Sequence, residues 1–137
     1  MKYSILLLTV LLMQFGTVQA QDFDPNKNNY LVLSKNIKQL KPIILTAIEL
    51  AKEDRDSYGD FLVIICGSTV KDIPDNNAFQ KLLVKAQEER INVFVCGLSL
   101  DKFKVNSEEL PDHLKQTKNG ILFGFQLAKK GFITLTI

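Results

Sequence analysis

The chain has 137 residues, 46% hydrophobic and 23% charged, with 17 basic against 15 acidic side chains. That length suits a single domain able to bury a real core without disulfide staples, and the composition is that of an ordinary folded protein rather than a low-complexity chain. A near-neutral charge without a basic stripe argues against nucleic acid as a partner, and the nine Phe and three Tyr fall at core spacing rather than as a base-stacking platform.

Residues 1–20 read as a secretory signal peptide. Lys2 gives a positive start, Ile5 to Met13 is almost unbroken apolar sequence, and Val18-Gln19-Ala20 supplies a cleavage site. The apolar run is shorter than the ~20 residues that a membrane span needs. Cleavage leaves one domain over residues 21–137; with Lys2 gone it has 16 basic against 15 acidic residues, a formal charge of +1. The expected product is secreted, periplasmic if the source is Gram-negative, with no membrane attachment after signal cleavage.

Residues 21–28 are polar and turn-rich and read as a loose lead-in. The run Tyr30-Leu-Val-Leu33 is a first strand. Over residues 37–52, Leu40, Ile43, Ile44, Ala47, Ile48 and Ala51 recur at helical spacing, and Pro42 places the regular helix start near residues 39–41. A polar turn over 54–60 leads into Phe61-Leu-Val-Ile-Ile-Cys66, a run apolar on both faces as a central parallel strand must be. After a loop, Asp75 is a plausible N-cap for a helix with Ala78, Phe79, Leu82, Leu83 and Ala86 inward. Ile91-Asn-Val-Phe-Val-Cys96 is a third strand, followed by a turn or short helix over 97–105, a helical turn over 106–110 and a weak strand over 113–117. Asn119 caps a helix through Lys130 with Ile121, Leu122, Phe125 and Ala128 on one face, Gly131 ends it, and residues 132–137 form the last strand. Strands alternating with helices imply a parallel sheet covered on both faces. Both cysteine-bearing strands are expected on the same side of the first strand.

Two segments echo one another. Each strand ends in Cys-Gly followed closely by Ser or Thr: Cys66-Gly-Ser-Thr and Cys96-Gly-Leu-Ser. Open α/β sheets bind ligands beyond the carboxyl ends of their strands, so both thiols belong on the functional edge. There a helix N-terminus and free backbone N–H groups favour a thiolate, and the N–H groups of Leu98 and Ser99 are candidates to face Cys96. Three readings of the cysteines stand together: buried small hydrophobes, reactive thiols, or a disulfide that export permits. His113, the sole histidine, has no partners at metal-ligand spacing and reads as a surface residue. No metal or cofactor is expected. No phosphate-binding glycine loop and no serine nucleophile elbow is present.

Ile91-Asn-Val-Phe-Val-Cys-Gly-Leu-Ser-Leu100, then Glu108-Glu-Leu110, the helix at Gly120 and Ala128-Lys-Lys-Gly-Phe-Ile133 resemble the DsrE-like family of sulfur-handling proteins, over nearly all of residues 21–137. The resemblance implies a three-layer α/β/α sandwich with a five-stranded, mainly parallel sheet that assembles as a homo-oligomer, a trimer or hexamer. It also implies that Cys96 matches the cysteine that carries persulfide sulfur in sulfur-relay members, with a sulfur-donor or acceptor protein as partner. Cys66 and export depart from the family pattern, and Cys66 is a resolving or disulfide partner for Cys96. The resulting expectation is a sulfur-handling or thiol-redox protein; the alternative is a non-catalytic binding or assembly module that keeps the fold.

Overall fold

A computed structural model describes residues 22–137; the leader and its cleavage point lie outside the described residues. Five strands, β1 (Asn28–Ser34), β2 (Tyr58–Ile65), β3 (Ile91–Cys96), β4 (Leu114–Thr117) and β5 (Ile133–Thr136), form one sheet in the order β4-β3-β2-β1-β5. Every neighbouring pair is parallel. The helices are α1 (Leu40–Asp54), α2 (Asn77–Glu88), α3 (Gly97–Phe103) and α4 (Gly120–Lys129).

Side chains alternate along each strand and feed two cores. Val32, Phe61, Val63, Ile65, Val93 and Val95 pack against α1, α2 and α3. Leu31, Leu62, Ile64 and Phe94 pack against Leu127 of α4 and against Phe132. β2 and β3 are apolar at consecutive positions because both faces are covered, and this is the three-layer α/β/α sandwich expected. Both cysteine-bearing strands lie on the same side of β1, also as expected.

Connectivity explains the layering. The chain steps β1, β2, β3, β4 in one direction, so right-handed crossovers put α1, α2 and α3 on one face. The return from β4 to the far edge at β5 reverses direction and puts α4 on the other. At the carboxyl ends of β3 and β4 the chain therefore leaves to opposite faces, which is where an open α/β sheet forms its crevice.

Five local expectations need correction. The lead-in is tied down: Phe23 packs edge-on to Phe132 with ring centroids 4.8 Å apart, and Asn29 donates to Asp24 O and accepts from Asp60 N–H. β2 begins at Tyr58 rather than Phe61, because pairing with β1 carries the strand back over polar residues that hydropathy reads as turn. Asp75 is not the α2 cap. It sits at φ +55°, and Asn76 caps instead, accepting from Phe79 N–H at 3.0 Å. Ala78 is exposed, leaving Phe79, Leu83 and Ala86 as the fully buried stripe of α2.

The fifth correction is the largest. The face of α4 carrying Ile121, Leu122, Phe125 and Ala128 points outward, and Gly120, Gly124 and Leu127 are buried. Gly124 lies where a Cβ would stand 3.6 Å from the Leu33 methyls. Only a residue no larger than alanine fits against Leu33 there, and a hydrophobicity pattern cannot register a helix face that docks through its smallest residues.

Candidate functional site

Cys66 and Cys96 come together at the carboxyl edge. β2 and β3 pair Ile64 with Phe94 and Ile65 with Val95, so one further step sets Cys66 beside Cys96. Both side chains lie on the α4 face. Adjacent strands run about 4.8 Å apart, inside the roughly 4.4–6.8 Å Cα separation that a disulfide spans. Both cysteines are free thiols in this structure, and they lie close enough for each to affect the other's ionisation.

Gly120, the first residue of α4, closes over them. Its N–H donates to Cys96 Sγ at 3.3 Å. A Cβ on Gly120 would stand 2.9 Å from Cys66 Sγ, 2.9 Å from Ile64 Cγ2 and 3.1 Å from Cys96 Cβ. No side chain fits there, so glycine is what brings the helix N-terminus onto the sulfurs. Asn119 holds that turn by accepting from the N–H groups of Ile121 and Leu122, each at 3.1 Å.

Ser99 completes the shell from α3. Its N–H and hydroxyl both reach Cys96, and its buried Oγ accepts from Gly67 N–H at 2.9 Å. Ser99 Oγ thus ties the Gly67 turn to the start of α3, beside Cys96. Leu98 N–H, expected to face the sulfur as well, is taken instead by Lys118 O at 3.1 Å. On the outer side, Gly67 turns the chain at φ +83° just after Cys66, with the Lys35 side chain alongside.

These surroundings drive the two thiols apart. Burial, the Cys96 charge and the hydrogen bond to Cys96 push Cys66 up to about 12, and the Lys35 ammonium opposes them only in part. Burial also pushes Cys96 up, but the hydrogen bonds from Gly120 N–H, Ser99 N–H, the Ser99 hydroxyl and the Cys66 thiol together outweigh it. The Cys96 thiol is held below its ordinary value. The pair thus loses its first proton from Cys96 and keeps the second on Cys66, the divergence that marks paired groups with different roles. Access runs the other way: Cys96 is only 3% exposed, whereas Cys66 is part-exposed.

No family model matches this chain. No curated protein matches it either. Among solved structures it is similar to MTH1491, a protein of unknown function from Methanobacterium thermoautotrophicum, with a TM-score of 0.65 at 8% identity, over 81% of this chain and 99% of that one. It is likewise similar to BT1422, a conserved protein of unknown function from Bacteroides thetaiotaomicron, with a TM-score of 0.60 at 18% identity, over 80% of this chain and 95% of that one. At such identities the likeness establishes the fold and nothing further.

His113 is exposed, at φ +68°, just before β4. The thiols lie at the opposite ends of the strands, about 13 Å away at ~3.3 Å per residue, so it does not join them. Among the described residues no group of three His, Cys, Asp or Glu side chains is placed to hold a metal, and no helix is long and apolar enough to cross a membrane. Two contributors escaped the sequence reading. The Ser99 hydroxyl was foreshadowed only by the Cys-Gly…Ser echo. Gly120 was visible only as an Asn-Gly helix start, with nothing local to say that its missing side chain matters.

Proposed function

We propose that this chain is an exported thiol-redox or sulfur-carrying protein of the DsrE-like family, working through the Cys96–Cys66 pair, in the periplasm if the source is Gram-negative. The observation that carries this reading is the convergence of two free thiols under the Gly120 amide. One is favoured as a thiolate and the other lies beside it. Thiolate character is what attack on a disulfide or a sulfane sulfur requires. In the sulfur-carrying version the Cys96 thiolate attacks the terminal sulfane sulfur of a persulfide. The sulfur–sulfur bond of the donor breaks, the donor leaves as its thiolate, and a Cys96 persulfide forms. The amides that hold the thiolate suit a persulfide anion equally.

We propose also that the protein acts as a homo-oligomer, a trimer or hexamer as the family resemblance implies. Ile121, Leu122 and Phe125 on α4 and Ile133, Leu135 and Ile137 at β5 are all exposed, Phe125 at 66% and Leu135 at 60%. Ile133 and Leu135 pair with Tyr30 and Val32 and so lie on the sheet face opposite α4, and a single-domain protein seldom leaves two such sets of large apolar side chains in water. The β5 edge carries no charge, whereas the opposite edge strand, β4, is guarded by Lys115. Natural edges left unguarded are the ones that pair.

A second reading, a binding or assembly module without chemistry, is favoured by the deep burial of Cys96 and by the same exposed apolar side chains. Intact mass after treatment with polysulfide separates the two. The thiol reading expects a mass gain that reduction removes and that is absent when both cysteines are serine. Native cysteines that neither gain sulfur nor take an alkylating reagent would leave the binding module as the function.

A further inference from the structure

We propose that Cys66 is the sulfur at which the pair exchanges with an external partner, that Cys96 stays inside as base and resolving thiolate, and that the partner is a small carboxylate-bearing thiol or its disulfide. The assignment rests on the thiol reading above but divides the labour differently from the family pattern, which gives the external step to the Cys96 position.

Access is the first reason. Cys96 is 3% exposed and lies beneath Gly120 and beside Ser99, whereas Cys66 is part-exposed at the Gly67 turn. Of the two residues, Cys66 is the one with surface for an external reagent to meet. Charge is the second reason. The Lys35 ammonium is close enough to stabilise negative charge on Cys66, so an anionic partner is attracted to this sulfur. The third is the side-by-side placement of the two thiols at the ends of adjacent strands. Cys66 is intrinsically reluctant to ionise, but the Cys96 thiolate next to it is a ready acceptor for its proton.

The oxidative half then balances. The Cys66 thiol passes its proton to the Cys96 thiolate as Cys66 Sγ attacks one sulfur of the external disulfide. The external sulfur–sulfur bond breaks, one external thiolate leaves, and a mixed disulfide forms on Cys66. Cys96 gives up the proton to the leaving thiolate and attacks Cys66 Sγ, which expels the second external thiolate and forms the Cys66–Cys96 disulfide. Two electrons have passed from the protein sulfurs to the external disulfide, which leaves as one thiol and one thiolate, the thiolate then equilibrating with water. In reverse, an external thiolate opens the internal disulfide at Cys66, and Cys96 is the leaving group. Its stabilised thiolate is the better one to expel, since a lower leaving-group pKa speeds exchange.

The test uses oxidised glutathione as the anionic disulfide and cystamine as a cationic control. The reduced protein, its Cys66→Ser and Cys96→Ser variants, and Lys35→Glu are each acid-quenched over time and the adduct located by peptide mass mapping. The expected result is that the first glutathione adduct on the unmodified protein lies on Cys66 in at least about tenfold excess over Cys96, in keeping with selection by exposure, and that Cys96→Ser, without its base, still takes its adduct on Cys66 but more slowly. Lys35→Glu should slow the reaction with glutathione severalfold and not that with cystamine. Early quenching of the unmodified protein, whose folding is not in question, should trap the same Cys66 adduct. An adduct first on Cys96 overturns this assignment and leaves the thiol reading standing. Absence of any adduct or disulfide in the unmodified protein overturns this assignment, and the polysulfide mass gain then decides the thiol reading by itself.

Discussion

Replacing Gly120 with alanine puts the architecture of the thiol site to its most direct test. The added Cβ would meet Cys66 Sγ and Ile64 Cγ2 at 2.9 Å and Cys96 Cβ at 3.1 Å, closer than carbon and sulfur settle. The start of α4 must therefore lift from the sheet by several tenths of an ångström. Overpacking of this kind costs about 1–3 kcal/mol, which for a domain near 100 residues lowers Tm by roughly 4–15 °C. The same movement lengthens the 3.3 Å bond from Gly120 N–H to Cys96 Sγ. A hydrogen bond to a charged group contributes about 1.5–3 kcal/mol, and 1.36 kcal/mol is one pKa unit. The Cys96 thiol should therefore titrate higher in Gly120→Ala. Ultraviolet thiolate absorbance against pH reads this directly, with Cys66→Ser as the background so that only one thiol titrates. Linkage gives the sign of the accompanying stability change. The Cys96 pKa is lowered in the folded state, so its stabilisation is present above the unfolded thiol value and lost as pH falls through the folded one. The variant should consequently lose more stability at mildly alkaline than at mildly acidic pH. A Gly120→Ala protein with an unchanged thiol titration would refute the claim that this amide holds the thiolate.

Ser99→Ala should also raise the Cys96 titration. It leaves Gly67 N–H without its acceptor, which costs about 1–3 kcal/mol in urea unfolding; an unchanged titration would remove Ser99 from the site. Asn119→Ala, deleting the cap on α4, should cost about 0.5–2 kcal/mol and raise the thiol titration in parallel, because the cap sets where Gly120 sits. Burial and neighbouring carboxylates push Tyr58 up to about 12, and burial, the hydrogen bond to Asp54 and nearby acidic groups do the same to Tyr30. Their contribution is fully present below the ordinary tyrosine value of about 10 and is lost as pH rises toward 12. Alkaline unfolding followed by circular dichroism should therefore be shallower over that window in Tyr58→Phe, and an unaltered slope would contradict this. Phe125→Lys with Leu135→Lys should convert the assembly to monomer by light scattering while changing the stability of the monomer itself by no more than about 0.5 kcal/mol per site; an assembly that survives both places the contact elsewhere.

Much of this molecule is local and therefore legible from residue order. The alternation of strands and helices, the two strands covered on both faces, the Asn119 cap, the Gly131 stop and the arrival of both cysteines at the carboxyl edge follow from periodicity and capping chemistry that act over a few residues. The outward face of α4 did not follow. Periodicity finds an apolar stripe and assigns it to the core, but here two glycines dock the helix and the apolar stripe is left for water or another chain. Nor could residue order reveal that Gly120, 24 positions from Cys96, would donate to its sulfur and close over Cys66, or that the Ser99 hydroxyl would accept from Gly67 beside them. Those contacts exist because the chain reverses direction across the sheet after β4, bringing the start of α4 over the ends of β2 and β3. The sequence determined which thiols lie at the edge. Only the tertiary structure decided which is held as a thiolate and which faces solvent, since both depend on groups that meet through the fold rather than along the chain.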